Sequence, residues 1–159
     1  MDSPAITTTV LFHEEQQFRQ LWVWALLLVI SAAMLAAAFT HHSVWFALVV
    51  LLVDTAIVGF MYSLKLTTEV NQDGIYVWFF PLLVNQTIPF SDIARYEARR
   101  YRPILEYGGW GVRYGWRGKA YNVRGNRGVQ LEMRDGKRLL IGSQRAEELA
   151  SAIAAGMGG

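Results

Sequence analysis

The chain has 159 residues, no cysteine and a formal net charge of +2. Without cysteine there is no disulfide framework, thiolate metal site or cysteine nucleophile. Hydrophobic residues make up 53% of the chain and are concentrated: residues 21–64 hold one acidic side chain, Asp54, and no Lys or Arg. That concentration points to an integral membrane protein.

Residues 1–20 read as a short tail, polar to mixed. Within it Val10, Leu11 and Phe12, followed by Glu14, Glu15 and Phe18, suggest an interfacial extension of the first helix. Leu21–Phe39 is an uncharged run of 19 residues, and Val44–Leu64 is a run of 21 broken only by Asp54. About 20 apolar residues suffice to cross the hydrocarbon core. In lipid, a helix lets so long an apolar backbone satisfy its own hydrogen bonds. Only Thr40, His41, His42 and Ser43 join the runs, so 21–64 is expected to be an antiparallel transmembrane hairpin. Trp22, Trp24, Trp45 and Tyr62 sit near the span ends, where amphipathic rings anchor. Arg19 and Lys65 flank the outer ends, whereas the link carries no Lys or Arg, which predicts cytoplasmic termini. A cleaved signal peptide fits poorly, since Asp2, Glu14 and Glu15 precede the first run and a second follows at once.

Ala32, Ala33, Ala36 and Ala37 allow close helix approach, most simply within the hairpin. Asp54 is the eleventh residue of its span and so lies near mid-membrane, where a carboxylate is costly and a functional candidate. Folding the hairpin about its link brings Asp54 within roughly a turn of Ser31. A protonated Asp54 bonded to Ser31 or to a backbone carbonyl is the structural reading. Two spans supply only this polar pair, so transport would need an oligomer. Adjacent His41 and His42, with no Cys or nearby carboxylate, are a poor metal site.

After Lys65 the pattern changes to short strand-like runs between turn residues. Leu66–Val70 and Ile75–Phe80 flank an Asn71-Gln72-Asp73-Gly74 turn, and Pro81 ends the second run. Gln86–Ile88 is a third strand, Pro89–Ile93 a turn or short helix, and Arg95–Tyr101 a fourth strand, followed by Pro103. A hairpin is expected around Trp110–Tyr114 and Lys119–Val123. Val129, Leu131 and Met133 alternate with polar residues as in a half-buried strand. Asp135-Gly136 suits a tight turn into Arg138–Ile141. Ser143 can N-cap a helix over 144–155 with Ala146, Leu149, Ala150 and Ile153 on one face and Gly156 at its end. The sum is about seven short antiparallel strands and one closing helix.

Of the 15 Lys and Arg, only Arg19 precedes residue 65. Segment 95–127 carries nine of them, Arg95, Arg99, Arg100, Arg102, Arg113, Arg117, Lys119, Arg124 and Arg127, against Glu97 and Glu106. A basic domain beside a membrane attracts anionic lipid or acidic protein. The glycine-rich stretch does not cradle phosphate: Ala120 follows Gly118-Lys119 where a P-loop needs Ser or Thr, and Tyr114 replaces the third glycine of a dinucleotide fingerprint. Arginines interleaved with Tyr114, Trp116 and Tyr121 could stack on bases, but a tethered domain meets headgroups far more often than nucleic acid. Residues 65–159 contain no histidine, and no paired catalytic carboxylates are evident there, so no enzyme, cofactor or small-molecule substrate is expected.

This order of elements, with Ile88-Pro89-Phe90-Ser91-Asp92-Ile93 in the middle and Asp135-Gly136 leading into the Ser143 helix, resembles the bacterial pleckstrin-homology-like domains found behind two membrane spans. Tyr107-Gly108-Gly109-Trp110-Gly111-Val112-Arg113 and Gly142-Ser143-Gln144 are similar to a subgroup with this layout. The resemblance implies an α+β fold, an antiparallel β-barrel or sandwich over 65–159 capped by a C-terminal helix. It also implies a bacterial inner-membrane location and no catalytic residues. Eukaryotic relatives of the fold often bind phosphoinositides through a basic first loop; here that loop, Asn71–Gly74, has no Lys or Arg. The expected function is a membrane-anchored binding or assembly module whose basic segment docks to a protein partner or to anionic headgroups. Homo-oligomerisation is an alternative partnership. The competing reading is an oligomeric transport or channel subunit built around Asp54, for which Asp54→Asn would abolish an ion flux that docking does not need.

Overall fold

In the computed structural model, residues 9–40 and 44–158 are described; His41 and His42 lie outside them. The chain divides into two compact units, one of residues 17–64 and the other joining the segment before it to Lys65 onward.

The first unit is a helical pair, α1 (Leu21–Thr40) and α2 (Val44–Ser63). Each helix is long and apolar enough to cross a membrane. Among their residues only Ala38 and Val50 are buried. A soluble protein's core helix hides such a surface, so this much exposed aliphatic area calls for another covering. The less exposed positions fall at helical spacing: Leu27, Ser31, Leu35 and Ala38 on α1, and Ala47, Val50, Asp54 and Met61 on α2. They form the seam where the helices meet. The hydroxyls of Thr40, Thr55 and Ser63 each donate 2.7 Å bonds to carbonyls of their own helix and expose no unsatisfied donor.

The second unit contains two sheets. The first has the order β1-β2-β3-β4, from β1 (Phe12–Gln17), β2 (Lys65–Val70), β3 (Gly74–Phe80) and β4 (Val84–Pro89). The second has the order β5-β8-β9-β7-β6, from β5 (Ile93–Arg100), β6 (Gly111–Gly115), β7 (Gly118–Asn122), β8 (Arg127–Met133) and β9 (Arg138–Gly142). A 3₁₀ turn at Phe90–Asp92 links the sheets, α3 (Pro103–Tyr107) follows β5, and α4 (Ala146–Met157) closes the chain. Alternation builds the core: Leu66, Val70, Ile75, Val77 and Phe79 from one sheet and Val129, Leu131 and Ile141 from the other are buried, with Leu149 and Ile153 of α4. α4 packs on β2, β3, β5 and β8, so it closes both sheets.

Three expectations are corrected, and one element, α3, has no counterpart among them. The segment expected to prolong the first helix is instead strand β1. It runs against β2, with Leu11 N–H bonded to the Val70 carbonyl (2.8 Å) at one end and Glu15 paired with Lys65 (2.6 Å) at the other. The strands are not all antiparallel, because β7 and β9 pair in parallel, Lys119 opposite Leu139 through Tyr121 opposite Ile141. α3 was not foreseen. The closing helix begins at Ala146 and runs through Gly156 to Met157. Gly156 does not end it; a Cβ there would lie 2.4 Å from the Phe90 ring, so glycine allows that ring to approach. Ser143 still serves the helix start, its hydroxyl accepting the Arg145 N–H at 2.9 Å.

Candidate docking surface

β5 carries Arg95, Arg99 and Arg100, the β6–β7 hairpin carries Arg113, Arg117 and Lys119, and the short helix α3 lies between them in sequence. α3 starts on Pro103, whose fixed φ suits a first helical residue, and ends at Gly108 in the left-handed region (φ 73). Its inner residue Tyr107 meets Tyr101 edge to face (5.9 Å between ring centroids), and its hydroxyl donates to Gln130 Oε1 at 3.1 Å. With Ala120 and Leu140 these rings make a small core on the outer face of the second sheet. Burial pushes the Tyr101 hydroxyl up to about 12.

Glu106 of α3 is the centre of the cationic cluster. Its carboxylate accepts from Arg99 and from the Arg102 backbone N–H (2.8 Å), and Arg117 Nε stands 3.8 Å away. Burial acts to raise this carboxyl, but the Arg99 hydrogen bond, the Arg102 N–H and the two nearby cations outweigh it and hold the pKa below the ordinary value. Two of the nine predicted cations, Arg99 and Arg117, are therefore engaged in fastening α3 to β5 and to the β6–β7 hairpin.

Three more have local partners. Arg113 Nε donates to the Trp110 carbonyl (2.8 Å), Arg127 pairs with Glu147 of α4 (2.6 Å), and Lys119 lies over the rings of Tyr121 (4.7 Å) and Tyr114 (5.4 Å). Among the described residues, Arg95, Arg100, Arg102 and Arg124 are exposed, and their side chains form no ion pair. Of the nine, these four are available to a partner; outside the segment Arg19 and Arg134 are likewise exposed and form no ion pair among the described residues. Exposed apolar side chains stand beside the cluster: Ile104 and Leu105 on α3, and Tyr114 and Trp116 on the hairpin tip. The tip and α3 touch closely, since a Cβ on Gly115 would meet the Glu106 carbonyl oxygen.

A cleft of about 920 Å³ opens beside the same tip, between Gln86, Ile88, Trp116, Lys119, Arg138 and Leu139. Its flanking cations Lys137 and Arg138 are neutralised by Asp135 (2.7 Å) and Glu132 (3.5 Å). In the helical unit, Asp54 and Ser31 both lie on the seam, but no hydrogen bond joins them among the described residues.

Sequence reasoning placed the nine cations in one segment and did not separate those held internally from those left outside. The signal was Glu106 itself, an acidic residue four positions after Arg102 and seven after Arg99. No family model matches the chain, and no curated protein sequence matches it.

Proposed function

We propose that this chain is a two-span protein of a bacterial inner membrane whose cytoplasmic domain, of the pleckstrin-homology-like class, is a docking module for anionic headgroups. Two sheets closed by a C-terminal helix support that class, although β1 adds a strand and the parallel β7–β9 pair departs from the all-antiparallel plan expected. The observation that carries the docking reading is the set of exposed, unpaired arginines, Arg95, Arg100, Arg102 and Arg124. Their guanidiniums are preorganised forks for phosphate oxygens. Juxtamembrane cations of this kind contribute about 1 kcal/mol each near an anionic surface. Ile104 and Leu105, which follow Arg102 on α3, are exposed and would reinforce contact with a lipid surface there.

The test uses the full chain in mild detergent, offered phosphatidylglycerol and phosphatidylcholine and read by native mass spectrometry. The wild type is expected to retain the anionic lipid preferentially. Combining Arg95→Gln, Arg100→Gln, Arg102→Gln and Arg124→Gln is expected to remove that preference, since none of these side chains supports the fold. An unchanged preference overturns the headgroup reading. A stoichiometric protein that co-purifies with the wild type and is lost from the variant would reassign the same arginines to a protein partner.

A further inference from the structure

The first sheet carries an apolar feature that the basic surface does not use. Along β3, Ile75, Val77 and Phe79 are buried, whereas Tyr76, Trp78 and Phe80 turn outward. Tyr76 and Trp78 stack with centroids 6.0 Å apart. Phe80 is 56% exposed, and the β3–β4 turn continues it with Leu82 at 46% and Leu83 at 80%. Turns facing water are built from Gly, Pro, Asn, Asp and Ser; residues 80–84 contain Pro81 but no Gly, no polar residue and no charge. Leu83 also adopts a left-handed backbone (φ 52), an unusual conformation for a bulky aliphatic residue. Such strain clusters at sites held for function.

The ladder fixes where this turn lies. Phe80 is the cross-strand partner of Lys65. α2 ends at Ser63, so Lys65 is the second residue beyond it. Successive Cα atoms are 3.8 Å apart, and paired residues on adjacent strands lie about 5 Å apart. Backbone pairing therefore holds Phe80 beside the residue at which the chain leaves the second apolar helix.

We propose that the β3–β4 turn is a second membrane contact, in which Phe80, Leu82 and Leu83 enter the boundary between headgroups and acyl chains and Trp78 lies at the interface. The inference rests on the reading of α1 and α2 as membrane spans. Lipid is the favoured occupant because chain continuity brings Lys65 to the end of a span, and because uncharged aliphatic and aromatic side chains suit that depth. The docking arginines lie on the other sheet and its loops, so this contact acts beside them. It would restrain the domain's swing about its tether.

The chain has no native cysteine, so single-cysteine variants can be nitroxide-labelled without background. Leu82→Cys and Leu83→Cys report on the turn, Asp73→Cys on the polar β2–β3 turn and Leu52→Cys on α2. All four are exposed, which spares the core. The full-length variants are placed in lipid nanodiscs, and collision with oxygen and with a water-soluble nickel chelate is measured by electron paramagnetic resonance. Oxygen-to-nickel accessibility at 82 and 83 is expected to exceed that at 73 severalfold and to approach that at 52. If 82 and 83 match 73 while 52 reads as lipid, the proposal is overturned and the spans stand. If 52 reads as water, the span reading fails and the proposal with it. Labels at 82 and 83 that are immobilised and shielded from both reagents would identify a protein occupant, which also overturns the lipid contact.

Discussion

Glu14→Ala is expected to destabilise the sheet domain by about 3 kcal/mol, because a buried carboxylate that bridges two distant segments loses two charge-assisted hydrogen bonds. Glu14 is 7% exposed although it sits on an edge strand. Its carboxylate accepts from the Ser143 hydroxyl and from the Gln144 N–H (2.9 Å), just before α4. Gln16 supports it, donating to the Gly142 carbonyl at 2.7 Å, and Arg145 lies 4.6 Å over the Phe12 ring. Alanine would leave the Ser143 and Gln144 donors facing a gap and would loosen β1 from the helix start. Thermal unfolding of the full chain in detergent, followed by near-ultraviolet circular dichroism, should show a midpoint lower by roughly 10 °C. Glu15→Ala is the control. Its side chain is exposed and pairs with Lys65 at the surface, so the midpoint should hardly move. Equal midpoints for the two variants would mean that β1 is not docked.

Gly118→Ala should cost more, about 4 kcal/mol, since it combines overpacking with backbone strain. Gly118 opens β7 at φ 107, and a Cβ there would lie 2.2 Å from the Arg138 carbonyl oxygen. That oxygen belongs to β9, and the next pair, Lys119 opposite Leu139, begins the parallel ladder. The strands would have to part where the ladder starts. Gly136 separates the two causes: it has φ 82 with nothing within 4 Å of its missing Cβ. Gly136→Ala should cost only the conformational part, about 1 kcal/mol. Denaturant titration of both variants checks the difference, and equal costs would rule out the close approach of β7 and β9.

How much of this was legible depended on whether the determining interactions were local. The two long helices follow from uninterrupted apolar runs, and the β8–β9 hairpin follows from alternation plus Asp135-Gly136. The face of Ala146, Leu149 and Ile153 announces α4, and the hairpin expected between Trp110 and Val123 is β6–β7. β1 was hidden because its inward residues are Phe12, Glu14 and Gln16. The usual sign of a half-buried strand is apolar alternation, and here two of three inward positions are polar, satisfied by Gly142, Ser143 and Gln144 far along the chain. α3 is five residues long, too short for helical periodicity to register. The parallel pairing of β7 with β9 leaves no local mark either, since each strand alone is compatible with either direction. For the candidate surface, charge density located the basic segment. Only coordinates show that Arg99 and Arg117 turn toward Glu106 while Arg95, Arg100, Arg102 and Arg124 do not.

The pairing of β1 with β2 sets a parity condition. These strands share one ladder, yet residues 18–64 run between them. A ladder cannot form through a bilayer, so in the proposed membrane the intervening chain must leave and return on one side, crossing an even number of times. Hydrogen bonds in the domain thus select the hairpin over a single crossing, independently of flanking charge. During synthesis β1 emerges first and must wait, unpaired, until both helices have been placed and β2 appears. A chain deprived of either helix would strand β1 on the wrong side, and the defect would surface in a sheet edge rather than in the membrane.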